Sequence, residues 1–170
     1  MDAYLAIASR REGRRYADRP IPDEVVRRIL DAGRLAGSSQ NRQPWTFLVV
    51  GDRGRLERLA QAVFAPANVL GAALVIAIAV RPRGPAQLDS GRAAQNMMLA
   101  AWNEGVVSCP NGMPDRSHAA ELLGLPEDQE PVIVLTFGYP QRPRDPQARS
   151  TEEWVARADR KPFEQVVRFV

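Results

Sequence analysis

The stretch from Ala73 to Val80 constrains the fold of this chain most. All eight residues are apolar, several are β-branched, and the run stops at Arg81-Pro82. Even extended back to Leu70, it is too short to cross a bilayer as a helix. A strand this apolar on both faces belongs in the middle of a sheet, where each face needs a covering layer. Hydrophobic residues make up 45% of the 170, enough for one core and one domain.

The flanking pattern supplies the cover. Asp2 caps a short helix expected to reach about Arg11. Pro22-Asp23-Glu24 opens a second, with Val26, Ile29, Leu30, Gly33 and Ala36 on one face. Trp45 to Val50 reads as a strand, and Leu56, Leu59, Ala60 and Val63 as a third helix. Asp89 is expected to open a long helix closed by Gly105, and Asp115 another closed by Gly124. Val132 to Phe137 is the third expected strand. Helices and about three core strands in mixed order give an α+β or α/β class. After Pro140 the chain turns polar and arginine-rich until Phe163. A tail of this kind has to pack on something else, so residues 1–140 are expected to form the core and residues 141–170 an arm.

The pI near 9.6 and net charge of +3 raise nucleic-acid binding. Most arginines alternate with acids, however, and no recognition motif is present, so neither nucleic acid nor membrane is an expected partner. The start of the chain lacks a secretory layout, and Cys109 is the sole cysteine, which fits a cytoplasmic protein.

Cys109 and His118 make a thiol–imidazole pair conceivable, but one buried cysteine and one surface histidine account for them better. One of each cannot build a structural zinc site, so no metal is expected. Acid–base side chains are scarce, which points to chemistry carried by a cofactor. Neither G-x-G-x-x-G nor a P-loop is present. Arg10-Arg11-Glu12-Gly13-Arg14-Arg15 reads either as a solvated turn or as a phosphate clamp. Ser38 to Trp45 is dense in hydroxyls and amides between a helix and a strand; it reads as a connector or as a reader of a heterocycle's polar edge. Ser108 to Met113 reads as an irregular turn whose N–H groups can face a pocket.

Taken in order, these segments resemble the nitroreductase family. Arg10 to Tyr16 is similar to the family's Arg-Arg-Ser-x-Arg-x-Phe opening. Ala36-Gly37-Ser38-Ser39-Gln40-Asn41-Arg42-Gln43-Pro44-Trp45 is similar to Ala-Pro-Ser-Ser-x-Asn-x-Gln-Pro-Trp. Asp89-Ser90-Gly91 with Gln95-Asn96-Met97, Leu123 to Pro126, and Gly138-Tyr139-Pro140 complete the series. Two positions depart from it: Glu12 stands where serine is usual, and Gly37 where proline is.

The resemblance implies an α+β fold with a mixed sheet flanked by helices, in an intertwined bacterial homodimer whose C-terminal arms cross. It implies FMN in a cleft between subunits, NADH or NADPH as hydride donor, and a small-molecule acceptor such as a nitroaromatic or quinone. Carried over by position, Arg10, Arg11 and Arg14 bind the phosphate and the pyrimidine edge, with Arg160 and Lys161 joining from the tail. Ser38, Ser39 and Asn41 come from the partner. Pro110, Asn111, Gly112 and Met113 lie along the isoalloxazine, with a backbone N–H, that of Gly112, near N5. No catalytic side chain is implied, since the hydride passes through flavin N5. The same resemblance leaves open a dehalogenase- or dehydrogenase-type reaction and a non-catalytic flavin-binding module.

Overall fold

The computed structural model describes all 170 residues, which form two compact units, Arg11–Arg144 and Met1–Arg10 with Asp145–Val170. The larger unit is built on one sheet of four strands: β1 (Trp45–Val49), β2 (Leu74–Val80), β3 (Val107–Asn111) and β4 (Glu130–Gly138), in the order β1-β2-β4-β3. All three pairings are antiparallel, so the sheet one chain makes is not mixed. β2 lies inside and is buried along its whole length, as its composition requires.

Side chains on β2 alternate between two layers. Leu74, Ile76 and Ile78 meet α2 (Asp23–Arg34) and α5 (Ala86–Asn103), through Ile29, Met97 and Ala101. Val75 and Ala77 meet α3 (Arg53–Gln61), α4 (Pro66–Leu70) and α6 (Arg116–Leu123), through Leu59, Val69 and Ala119. Gly33 sets the approach of α2 to α5, since a Cβ there would stand 2.2 Å from Met97 Cε.

Three expected elements need revision, and one short helix was not expected. The first helix, α1 (Ala3–Ser9), stops before Arg11, because Arg10 is already extended (φ −58°, ψ 132°). The long helix starts at Ala86; Asp89 is not its cap but a buried carboxylate accepting the Ser39 N–H at 3.0 Å. Segment Val107–Asn111 is a fourth strand, not a turn. Its proline is tolerated because an edge strand can spare an N–H. The short helix α4 begins with Pro66 in its first turn.

In the smaller unit, α1 packs with α7 (Thr151–Ala156), which lies in the polar stretch. A reciprocal capping box starts α7: Ser150 Oγ accepts from Glu153 N, and Glu153 Oε2 accepts from Ser150 N at 2.8 Å. Trp154 Nε1 donates to the Pro146 carbonyl at 2.7 Å. The last short helix, α8 (Phe163–Val166), leaves Phe163, Val166, Phe169 and Val170 exposed.

Candidate active site

β3 pairs with β4 alone, so every second residue turns its backbone polar groups outward. Pro110 has no N–H to give the ladder, which identifies 108, 110 and 112 as the outward set. The Ser108 carbonyl accepts the Gly13 N–H at 3.0 Å, and the Gly112 carbonyl accepts the Phe64 N–H at 3.0 Å. The same alternation turns the Gly112 N–H away from β4. Phe64 is 75% exposed, and a Cβ on Gly112 would meet its ring at 3.2 Å. A backbone donor, an exposed proline and an exposed aromatic ring therefore share one edge. Phe64 was not singled out from the sequence; its signal was an aromatic just ahead of a helix-starting proline.

Beneath this edge the side chains of Asn111 and Met113 turn inward. Met113 packs with Leu59 and Val69. Asn111 Nδ2 donates to the Cys109 carbonyl (2.9 Å) and to Thr136 Oγ1 (3.1 Å), and its Oδ1 accepts from Asn68 Nδ2 (2.7 Å). Tyr16 Oη lies 2.7 Å from Thr136 Oγ1. Of the four residues Pro110 to Met113, only Pro110 and the Gly112 backbone open outward.

At the other end of β3 a cavity of about 560 Å³ is lined by Glu12, Gly13, Arg14, Arg15, Val107, Pro140, Gln141, Arg142 and Arg144. Gly13 admits the arginine segment this close: a Cβ there would stand 2.4 Å from Val107 Cγ2. The Arg14 guanidinium is held above its ordinary pKa, first by a hydrogen bond with Cys109, with the Glu12 charge adding to the effect. Arg14 is thus permanently cationic. Arg142 and Arg144 are additions to the expected set, signalled by the Arg-Pro-Arg run after Tyr139-Pro140, while Arg15 comes from the arginine cluster itself.

The serine–asparagine loop is strained. Gln40, Asn41 and Gln43 all have φ near +50°, a region costly for residues with a Cβ. Asp89 holds Ser39 by its N–H, while Ser38 Oγ accepts the Gln43 N–H at 2.9 Å. Asn41 is exposed. Arg11 belongs with this loop to the larger unit, while Arg10, Arg160 and Lys161 belong to the smaller. Arg160 Nη1 donates to the Ala158 carbonyl at 2.7 Å.

Cys109 is buried on β3, whereas His118 is exposed on α6, 3.9 Å from Glu121. His118→Asn is expected to keep the activity of the parent; a loss of several orders of magnitude in a folded variant would restore the thiol–imidazole pair.

Burial pushes the Tyr16 hydroxyl up to about 12 from an ordinary value of 10.0. The folded protein therefore holds this proton more tightly than the unfolded chain. Its contribution to stability is complete below pH 10 and is lost as pH rises through about 12. Urea unfolding at stepped pH is expected to show that slope, and Tyr16→Phe to lack it.

The fold is an α+β one, with a basic cavity and an open donor edge on one strand. The sequence profile of the nitroreductase family matches residues 7–82 and 67–139, and the chain belongs to that family. A protein of Archaeoglobus fulgidus named "Putative NADH dehydrogenase/NAD(P)H nitroreductase" is 35% identical over 149 residues, covering 82% of this chain and 86% of its own. A nitroreductase family protein of Clostridium difficile superimposes with a TM-score of 0.82 at 25% identity, over 99% of this chain and 98% of its own. The NADPH:FMN oxidoreductase of Vibrio harveyi, solved with NAD+, superimposes with a TM-score of 0.74 at 29% identity, over 81% of this chain and 68% of its own.

Proposed function

We propose that this chain is an FMN-dependent oxidoreductase that works as a homodimer, taking hydride from NADH or NADPH and passing it to a small oxidant such as a nitroaromatic or quinone. One observation carries the reading: a single edge strand has an outward backbone donor beneath an aromatic ring at one end and an arginine-lined cavity at the other. A planar ring with a phosphate tail is served by that pairing. The donor set fits FMN in kind, because guanidinium forks match phosphate oxygens and a neutral N–H suits a ring nitrogen.

When bound, FMN supplies the centre that accepts and returns the hydride. The chain's task is to bind, orient and tune. Arg14, with Arg15, Arg142 and Arg144 around the cavity, would hold the phosphate and the pyrimidine edge; Arg11, outside that lining, joins them on the resemblance. Positive charge there favours an anionic reduced ring. By the resemblance alone, Arg10, Arg160 and Lys161 are further proposed ligands of the phosphate. The outward Gly112 N–H and exposed Pro110 would line the ring's site, and Asn111 and Met113 would contribute through backbone only. Ser38, Ser39 and Asn41 serve the partner's flavin; a loop strained and pinned by a buried carboxylate is suited to present such groups.

Residues 141–170 act in this reading as an arm on the partner. β1 is an edge strand with no neighbour on its outer side, and a cavity of about 680 Å³ lies along it, lined by Phe47, Leu59 and Leu122 among others. The chain's last residues leave α8 extended, with Val167 at φ −120° and ψ 132°, and end in exposed Phe169 and Val170. An apolar extended tail and an open apolar strand edge complement each other.

Titration of cofactor-stripped protein with FMN and with FAD tests the reading. FMN is expected to bind at one per chain, and FAD poorly, since nothing here resembles a dinucleotide fingerprint. Preference for FAD, or no flavin bound, contradicts it.

A further inference from the structure

We infer that Asn68 is a positioning residue for the Gly112 donor, acting through the side chain of Asn111; the inference rests on the flavin reading above.

The hydrogen-bond inventory under β3 leaves little freedom. Thr136 Oγ1 donates to the Cys109 carbonyl at 3.1 Å, which uses its one proton. Tyr16 Oη lies 2.7 Å from the same Thr136 Oγ1, and Asn111 Nδ2 donates to that oxygen at 3.1 Å. Asn111 Nδ2 also reaches the carbonyls of Cys109 (2.9 Å) and Val134 (3.3 Å). All those partners are acceptors toward it, so the Asn111 amide cannot flip: its Oδ1 would face lone pairs. That leaves Oδ1 aimed at Asn68, whose Nδ2 donates to it at 2.7 Å. The same Nδ2 lies 3.7 Å from Cys109 Sγ.

Asn68, Asn111 and Thr136 are 6%, 3% and 0% exposed, so water offers no substitute partner. Asn68 sits on α4 and Asn111 ends β3. Their contact ties the helix after Phe64 to the strand before Gly112. Phe64 N–H bonds to the Gly112 carbonyl, closing the same loop from the other side. Asn68 and Phe64 thus clamp the two peptide units around Gly112. Removing the Asn68 amide leaves Oδ1 of Asn111 buried without its donor at the last pair of the β3–β4 ladder, where the Asn111–Gly112 peptide is held on one side only, and loosens that peptide. The donor then loses its aim while the arginine cavity stays intact, which separates placement of the ring from affinity for the phosphate.

The test uses FMN labelled with ¹⁵N at N5, bound to the full-length protein. In the wild type the N5 resonance is expected at a hydrogen-bonded position. In Asn68→Ala it is expected to move toward the aprotic-solvent value, with FMN still bound at one per chain and affinity within tenfold of wild type. Ser90→Ala serves as control: Ser90 is buried on α5 and bonds to the Gln87 carbonyl at 2.8 Å, apart from the network. It is expected to leave N5 unmoved. Should Asn68→Ala fail to fold, Asn68→Ser, too short to reach Asn111, is expected to give the same shift. An N5 resonance unchanged in the folded Asn68 variant overturns the positioning role while the flavin reading stands. A wild-type protein that binds no FMN, or whose N5 sits at the aprotic value, overturns the donor contact and the inference with it.

Discussion

Truncation after Pro140 is expected to give a protein that is monomeric or aggregated and free of flavin. Two losses combine. α1 loses α7, its packing partner in the smaller unit. The chain also loses Phe163, Val166, Phe169 and Val170, which are 60–122% exposed in the single chain and need cover from elsewhere. Burying each contributes roughly 1.5–3 kcal/mol before ordering costs. Arg160 and Lys161 leave with the same segment. A ligand that binds only the assembled state stabilises that state, so dimer and flavin are expected to be lost together. A milder truncation after Pro162 separates the effects, because it keeps α7 against α1 and removes only α8 and the last residues. That version is expected to fold, with a weakened dimer and correspondingly weakened FMN binding. Sedimentation with flavin absorbance recorded in the same run reads both. A soluble dimer truncated at Pro140 and carrying one FMN per chain would make the arm an appendage.

Removing charge from the β3 cavity is expected to have the next largest effect. Arg14→Ala, in the cavity, and Arg10→Ala, outside it and expected to act on the resemblance alone, should each weaken FMN binding by about 1.5–3 kcal/mol, the scale of a charge-assisted hydrogen bond. That is roughly tenfold to a hundredfold or more in Kd. Arg53→Ala is the control, since Arg53 is exposed on α3 and pairs only with Glu57 at 2.8 Å. Glu12 has the opposite sign. It lies in the cavity and its charge acts on Arg14. A carboxylate beside a phosphate site opposes the ligand, so Glu12→Ser is expected to tighten FMN by roughly twofold to tenfold. Fluorescence titration measures all four. Equal affinity in Arg14→Ala, Arg53→Ala and the parent would contradict a phosphate role for the cavity.

The parts of the fold legible in the sequence are those where one local signal dominates. The run from Ala73 to Val80 could only be an interior strand, and the period of α2 could only face a core. β3 was misread because Pro110, Asn111 and Gly112 are turn-forming residues. What overrides them is tertiary: at a sheet edge the proline N–H is not needed, and the Asn111 side chain bonds beneath the strand instead of closing a turn. Asp89 was taken for a helix cap because caps are acidic; its contact with Ser39 spans fifty residues and leaves no local trace. The candidate site divides in the same way. Arg11 and Arg14 were readable as a cluster, and Arg14 does line a cavity. Arg142 and Arg144 join it only because the bridge between Tyr16 and Pro140 brings the two segments side by side. Asn68 belongs to a motif only in three dimensions.

The central claim is that this chain carries hydride between a nicotinamide nucleotide and a small oxidant through bound FMN. Anaerobic double mixing tests it most directly. FMN-loaded protein is first mixed with NADH or NADPH, then with a quinone, while the flavin absorbance band is followed. The band is expected to bleach in the first mix and to return in the second, with both phases fast enough to sustain steady turnover. A band that stays unbleached by either nucleotide, in protein holding one FMN per chain, would contradict it.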